Sequence, residues 1–176
     1  NLRCRYCYAE QGTYGMNNWD KFFNLSKYVS AFEYFYKAYG GVKAICFFGG
    51  EPMLNYNEIK KFVLYLYENY NQNERPLLSI ASNGTIMDNE KRRFLEDHGI
   101  HFGTSLDYND RNRIGYGIES VFDCVKNTLE ILEHSDLIRI IQFTLTRDHL
   151  ENYMKGNVVK AIKEFERMSY SACELV

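Results

Sequence analysis

The sequence has only two prolines and one tryptophan in 176 residues, and it has no serine- or glycine-rich tract. Linkers and low-complexity segments are built from such tracts, so we expect one domain over residues 1–176. The longest apolar runs, such as Ala44–Phe48, are the length of a strand, which predicts no bilayer-spanning helix. Charge of neither sign is in excess, with 21 basic and 23 acidic residues, so neither a nucleic acid nor a membrane is expected as a partner.

Cysteine is present, but not in the pattern of a disulfide-stabilised scaffold. The chain has five cysteines, an odd number, and they are widely scattered in an otherwise ordinary composition. Secreted disulfide-rich domains are short and dense in paired cysteines, so this usage favours a reducing, cytoplasmic location.

Short apolar segments alternate with longer segments whose apolar residues recur at helical spacing. The predicted strands are Val42–Phe48, Leu77–Ala81, His101–Leu106, Leu137–Leu145 and Ser171–Val176. The predicted helices cover residues 26–39, 56–70, 89–98, 121–132 and 158–168. This alternation predicts an α/β fold, in which helices pack outside a parallel sheet. The chain is expected to open with a loop. A parallel barrel would need one more strand before Asn1, and the final strand indicates that more chain follows Val176.

Unusual polar residues follow the predicted strands, where parallel α/β folds collect their active sites. The most informative run, Gly49–Gly50–Glu51–Pro52, comes directly after the first predicted strand. Two glycines let a ligand approach the backbone, and the carboxylate beside them can accept hydrogen bonds from an ammonium group. A tight turn with an exposed glutamate is the structural alternative. The position after a buried strand favours a small-molecule site.

The chain begins with a second informative motif, a pair of cysteines three residues apart. Cys4 and Cys7 lie in the segment NLRCRYCYAEQGTYG. Such a pair occurs in half of a zinc site, in a redox dithiol and in the ligand set of an iron–sulfur cluster. The spacing alone leaves all three open.

Together, the segments CRYCYA, FFGGEP, SNGT, SLD and GIESVFD resemble the radical S-adenosylmethionine (radical SAM) superfamily over essentially the whole chain. The resemblance implies a partial (β/α)6 parallel barrel that lacks its first strand here. It also implies a CxxxCxxC motif whose three thiolates hold a [4Fe–4S] cluster, with S-adenosylmethionine (AdoMet) on the open iron. A donor such as flavodoxin or ferredoxin would supply the electron that cleaves AdoMet to a 5′-deoxyadenosyl radical.

Carried over residue by residue, the resemblance assigns ligands to both cofactors. Cys4 and Cys7 match the second and third cluster cysteines, and the first is expected directly before Asn1. The positions that match AdoMet contacts are Tyr6 near the adenine, Gly49, Gly50 and Glu51 at the amino group, Ser82 and Asn83 near the methionyl part, and Ser105 and Asp107 near the ribose. The family often has glycine where Tyr108 stands, and Asp110–Arg113 follows early, which indicates a shorter loop.

Within the superfamily, CYAEQGTYG and GGEP look most like the peptide- and protein-modifying maturases. These commonly continue past the barrel into a cysteine-rich extension, which is not present in this sequence. A peptide or protein substrate is therefore expected, and the leading reaction is formation of a thioether at a cysteine. The nearest rival is oxidation of a sulfatase serine or cysteine to formylglycine. The sequence is also compatible with a radical enzyme that acts on a small molecule and with a cluster-free binding module.

The remaining reactive side chains are interpreted as structural. Cys46, Cys124 and Cys173 lie in predicted strands or helices and are expected in the core. The four histidines show no ligand spacing, and most of the fifteen tyrosines are expected to pack on helix faces. Arg113 could contact a cofactor carboxylate, although an ion pair at the surface explains it at least as well.

Overall fold

The fold is a parallel sheet whose successive strands are joined by helices. In chain order the elements are β1 (Leu2–Cys4), α1 (Leu25–Tyr39), β2 (Ala44–Phe47), α2 (Tyr56–Asn69), β3 (Leu77–Ser82), α3 (Asn89–Asp97), β4 (His101–Ser105), β5 (Arg113–Gly115), α4 (Val121–Ile131), β6 (Arg139–Phe143) and β7 (Cys173–Leu175). A short 3-10 helix, Pro52–Asn55, leads directly into α2. This computed structural model describes residues 1–10, 23–107, 110–133, 135, 137, 139–144, 151, 155–156, 163 and 173–175.

The main sheet has the strand order β2-β3-β4-β6-β7, and every neighbouring pair is parallel. The register aligns Phe47 with Ile80, and Ser82 with Thr104. The carboxyl ends of these strands therefore lie along one edge of the sheet. The predicted α/β fold with a parallel sheet is confirmed. Of the predicted helix over residues 158–168, the structure describes residue 163 alone, and that residue is helical.

The core lies between the sheet and the helices that cover it. The alternating burial of β3 buries Leu78 and Ile80. Helix α2 presents a stripe of side chains with almost no exposure against this face, namely Ile59, Phe62, Val63 and Leu66. Burying each such side chain contributes about 1.5–3 kcal/mol to folding. A second cluster packs α4 on the far part of the sheet through Val125, Leu129 and Ile141.

Side-chain caps define where three of the helices begin. Asn24, Asp88 and Ser120 accept hydrogen bonds from the amides three residues further on, which satisfies donors that have no partner within the first helical turn. Helix α1 ends at Gly40, whose φ of 70° is the left-handed conformation common after a helix. None of the helices in the described part of the chain combines the length and the apolar character needed to cross a membrane.

The start of the chain differs from the expectation. It does not open with a loop, because Leu2–Cys4 forms a strand that pairs antiparallel with β5, outside the main sheet. Neither strand was predicted, since three residues are too few to show an alternating pattern and the two partners are far apart in the sequence. The pairing places Cys4 opposite Arg113.

The cysteines outside the Cys4–Cys7 pair are less buried than expected. Cys46 is exposed and Cys124 is half-buried, so the expectation that both lie in the core was wrong. Cys46 belongs to β2, which is the edge strand of the described sheet, and an edge strand is covered less completely than a central one. The side chain of Cys173 lies outside the described residues.

Candidate functional site

The loops after three adjacent strands meet the two-cysteine segment at one edge of the sheet. Gly49–Gly50–Glu51 follows β2, Asn83 follows β3, and Asp107 follows β4. Parallel strands in register end at the same edge of the sheet. The backbone pairing alone therefore places these loops side by side. Side-chain hydrogen bonds then join each loop to its neighbours.

The Glu51 carboxylate fastens the loop after β2 to the loop after β3. Its Oε1 accepts hydrogen bonds from the Met53 amide at 2.9 Å and from the Ser82 hydroxyl at 2.8 Å. Its Oε2 accepts from the Asn83 amide at 2.6 Å. Glu51 is 7% exposed, and this burial raises the pKa of its carboxyl, although the three hydrogen bonds oppose the shift. Glu51 is thus not the exposed turn residue of the structural alternative.

The two glycines before Glu51 leave the backbone open. Gly49 has a φ of 153°, a conformation that favours glycine. A Cβ added to Gly49 would meet nothing within 4 Å. Glu51 anchors this segment from one side, while the other side of the Gly49 backbone has room for a ligand.

An amide cluster ties the start of the chain to the loop after β3. The Asn83 Nδ2 donates to Asn1 Oδ1 at 2.8 Å, and the Asn1 Nδ2 donates to the Thr85 hydroxyl at 2.8 Å. The Thr85 amide and hydroxyl both donate to Asn83 Oδ1, at 3.0 and 2.7 Å. The backbone amide of Asn83 therefore bonds to Glu51, and its side chain bonds to Asn1 and Thr85. It joins the Gly49–Glu51 loop to the two-cysteine segment.

Tyr6 links the two-cysteine segment to the end of β4. Its hydroxyl donates to Asp107 Oδ1 at 2.9 Å. Asp107 is 3% exposed. Burial, followed by the negative charge of Asp107, raises the pKa of Tyr6, so the phenol stays protonated and keeps donating.

Cys4 and Cys7 lie on one tight turn, in which the Cys7 amide donates to the Cys4 carbonyl oxygen at 3.2 Å. Neither cysteine forms a disulfide, and both are partly exposed. Two thiols on one turn are soft sulfur donors of the kind that iron–sulfur clusters take, and they fit two of the ligand positions of such a cluster. Within the described ranges, no group of three His, Cys, Asp or Glu side chains could hold a metal ion by itself. A cluster held by this turn would need a further ligand from the protein.

Arg113 is a site residue whose place the sequence did not reveal. It is 2% exposed rather than paired at the surface. Its Nη1 donates to the Ser105 carbonyl oxygen, and its Nη2 donates to the Asn83 carbonyl oxygen at 2.7 Å. Burial raises the pKa of the Cys4 thiol, while the positive charge of Arg113 and a hydrogen bond from it act in the opposite direction. The Asp110–Arg113 spacing was the one available signal, and it carries no information on burial.

The structure thus brings the predicted site residues to one edge of the sheet. Glu51, Ser82 and Asn83 form one hydrogen-bonded group, and Tyr6 and Asp107 form another. Ser105 takes part through its carbonyl oxygen, which accepts from Arg113. Asn1, Thr85 and Arg113 complete the connections. The sequence analysis assigned no role to Asn1 or Thr85 and left Arg113 open between a cofactor contact and a surface ion pair.

The same fold occurs in solved structures of proteins that bind AdoMet. Native anSMEcpe with bound AdoMet aligns with a TM-score of 0.82 at 21% identity, over 100% of this chain and 48% of that chain. The structure of the same protein with AdoMet and the Kp18Cys peptide aligns equally well, at 20% identity. The model of the radical SAM superfamily matches residues 1–155. The chain belongs to the radical SAM superfamily, and the predicted fold of this type is confirmed.

Three curated proteins have sequences similar to this chain. An uncharacterized protein of Methanocaldococcus jannaschii is 35% identical over 169 residues, which are 93% of this chain and 56% of that protein. The radical SAM cyclopropyl synthase TigE of Paramaledivibacter caminithermalis is 25% identical, over 90% of this chain and 36% of that protein. The serine-type anaerobic sulfatase-maturating enzyme of Klebsiella aerogenes is 31% identical, over 62% of this chain and 27% of that protein. The chain spans about half or less of the length of these relatives.

Proposed function

We propose that residues 1–176 form the cofactor-binding core domain of an enzyme that uses AdoMet and a [4Fe–4S] cluster to modify a peptide or protein. The observation that carries the proposal is the convergence of the Cys4–Cys7 turn, the open Gly49 backbone and the Tyr6–Asp107 pair at one edge of the sheet. Thiols, an open backbone and a hydrogen-bonded polar pair are the groups needed to hold a cluster and a nucleoside cofactor side by side.

In this proposal Cys4 and Cys7 hold the cluster together with a third thiolate, from a cysteine before Asn1 in the longer protein. Such a cluster would supply one-electron reduction of AdoMet to a 5′-deoxyadenosyl radical, with the electron coming from a reduced flavodoxin or ferredoxin. The chain's own residues bind AdoMet and orient it. Gly49 and Gly50 offer their backbone to the amino group of AdoMet, and Glu51 orders them and adds negative charge.

The remaining site residues order the nucleoside end of the pocket. Tyr6 and Asp107 hold each other at the end of β4, where the adenine and ribose would bind. Ser82 and Asn83 position the loop after β3, beside the methionyl part, through their bonds to Glu51. Because these groups bond to one another without a ligand, the site needs little reorganisation when AdoMet binds.

A peptide or protein substrate is supported by two of the comparisons. One relative is a sulfatase-maturating enzyme, and one solved structure with this fold contains the Kp18Cys peptide. We propose thioether formation as the reaction. One C–H and one S–H bond would break and a C–S bond would form. One hydrogen atom would pass to the 5′-deoxyadenosyl radical, one proton to solvent and one electron to an oxidised iron–sulfur cluster. The sulfatase-maturase relative favours, as the second candidate, oxidation of a serine or cysteine side chain to an aldehyde.

The test uses the longer protein, purified without oxygen, reconstituted with iron and sulfide, and supplied with AdoMet and a reductant. Iron content and release of 5′-deoxyadenosine are measured first, because they report the cofactor chemistry before any substrate is known. Two peptides then separate the candidates, one with a cysteine and an acceptor residue and one with a sulfatase-type serine.

Each outcome assigns the protein to one class. A cysteine peptide that loses two hydrogen atoms and its free thiol supports thioether formation. A serine peptide that gains an aldehyde supports the second candidate. AdoMet cleavage with both peptides unchanged indicates a small-molecule substrate. A longer protein that binds neither iron nor AdoMet is a binding module, and the proposed function is then wrong.

A further inference from the structure

Arg113 lies next to Cys4, the first cysteine of the turn. The antiparallel pairing of β1 with β5 sets Arg113 directly opposite Cys4. The side chain is 2% exposed, so its charge is almost completely removed from water. A guanidinium cannot lose its proton in a protein, and its positive charge is therefore permanent.

The guanidinium is held in one orientation. Its two terminal nitrogens donate to carbonyl oxygens at the ends of two neighbouring strands, Ser105 of β4 and Asn83 just after β3. Its Nε has no hydrogen-bond partner among the residues that the structure describes. Two carbonyl groups orient the charge without neutralising it. The buried Asp107 carboxylate opposes the charge at Cys4, but the effect of Arg113 there is the larger of the two.

A fixed positive charge beside a cluster thiolate changes the energy of electron transfer. The cluster becomes more negative by one unit when it is reduced, so a nearby cation stabilises the reduced state more than the oxidised state. Net charge, hydrogen bonds to sulfur and solvent exposure are the protein's means of setting such potentials. Burial lowers the effective dielectric constant around Arg113 and so increases its influence.

We propose that Arg113 is a positioning residue that fixes a positive charge against Cys4 and thereby raises the reduction potential of the iron–sulfur cluster. This inference rests on the proposed function. A purely structural role, in which Arg113 only joins β1 to the ends of β3 and β4, predicts a loss of stability when Arg113 is replaced but no change of potential in any variant that still folds.

The experiment is a redox titration of the reconstituted longer protein, with iron content and melting temperature measured on the same samples. Arg113→Gln removes the charge, and Arg113→Lys keeps the charge but loses the planar fork. Arg3→Gln is the matched control, because Arg3 lies next to Cys4 on β1 but is exposed and stacks on Tyr116. For Arg113→Gln we expect the reduced-to-oxidised ratio at a fixed potential to fall about tenfold, which is a shift of about 59 mV to more negative potential. Arg113→Lys should stay within about threefold of the wild-type ratio, and Arg3→Gln should match wild type.

The outcomes separate this inference from the function on which it rests. Wild-type protein that takes up no iron refutes the proposed function itself. Wild-type protein with a cluster, and an Arg113→Gln variant that loads iron at an unchanged potential, refutes the role of Arg113 alone. If Arg113→Gln does not fold, Arg113→Met, a neutral side chain of similar length, takes its place: a potential lowered by about 59 mV supports the charge, and an unchanged potential overturns it.

Discussion

The Tyr6 hydroxyl donates a hydrogen bond to Asp107 Oδ1 at 2.9 Å, across 101 positions of sequence. Tyr6 lies between the two cysteines of the turn, and Asp107 lies just after β4. Other bonds also hold the cysteine segment to the rest of the domain, among them the Asn1–Asn83 amide pair and the β1–β5 ladder. Bonds within the domain therefore hold the cysteine turn beside the other site residues.

Replacing Tyr6 with phenylalanine should loosen that docking. The variant removes one hydrogen-bond donor from a buried carboxylate, which costs about 1–3 kcal/mol of unfolding free energy. Hydrogen exchange of the amides in residues 4–10 should accelerate at the same time. Tyr8→Phe is the matched control, because Tyr8 belongs to the same segment but is 77% exposed, and its effect should stay within about 0.5 kcal/mol. Equal effects of the two variants would contradict the role of the bond.

The cysteine turn should account for the iron content of the longer protein. Cys4→Ala or Cys7→Ala should reduce bound iron from roughly four per protein to near zero after reconstitution, since thiolates are the ligands of such a cluster. AdoMet cleavage should disappear with the iron. Cys46→Ala is the control, because Cys46 is an exposed free thiol on β2. Full iron content in a Cys4→Ala, Cys7→Ala double variant would rule out these two ligands.

Glu51 should make the stability of the fold depend on pH. Burial raises the pKa of its carboxyl above the ordinary 4.5, so the folded protein holds this proton more tightly than the unfolded chain does. The stabilisation of the folded state by this proton is complete below about pH 4.5. It is lost as the pH rises through the higher pKa of the folded state. Glu51→Gln should remove this fall from the curve of unfolding free energy against pH.

The same variant should also lower stability, because a carboxamide cannot accept from both Asn83 and the Met53–Ser82 pair, and one donor loses its acceptor. We expect a loss of about 1–3 kcal/mol at neutral pH. Glu90→Gln, at an exposed glutamate, is the control and should leave both the stability and its pH dependence nearly unchanged. A Glu51→Gln variant as stable as wild type, with the same pH curve, would refute the loop-joining role.

Gly84, in the loop after β3, should tolerate no side chain. It has a φ of 75°, and a Cβ there would lie 2.2 Å from Thr104 Oγ1 and 3.2 Å from a methyl group of Val125. Gly117 is the matched control, with a φ of 67° and nothing within 4 Å of an added Cβ. Gly117→Ala should cost about 1–2 kcal/mol for the strained backbone, and Gly84→Ala should cost about 1–3 kcal/mol more for the clash. Thr104→Ala should recover part of that excess in the double variant; an equal cost for the two glycine variants would show that the loop can yield.

Helices and longer strands could be predicted because the spacing of their apolar residues is a local feature of the sequence. The apolar stripe from Tyr56 to Leu66 predicted α2, since a helix must turn one face to the core, and that face is the buried one. Strand β3 was predicted to within one residue of its end. The motifs that identified the family were local as well, in short segments around the cysteines and the glycines.

The amino-acid sequence by itself determined the order of the strands in the main parallel sheet and of the helices between them, and it determined the superfamily, because each follows from periodicity or from a few neighbouring residues. Only the tertiary structure decided that Glu51 bonds inward to Ser82 and Asn83, that Cys46 is exposed, and that Arg113 is buried against Cys4. These facts depend on pairing between distant segments. The free energy of burying a charge is set by the partners that the fold brings to it, and no local pattern of residues contains that information.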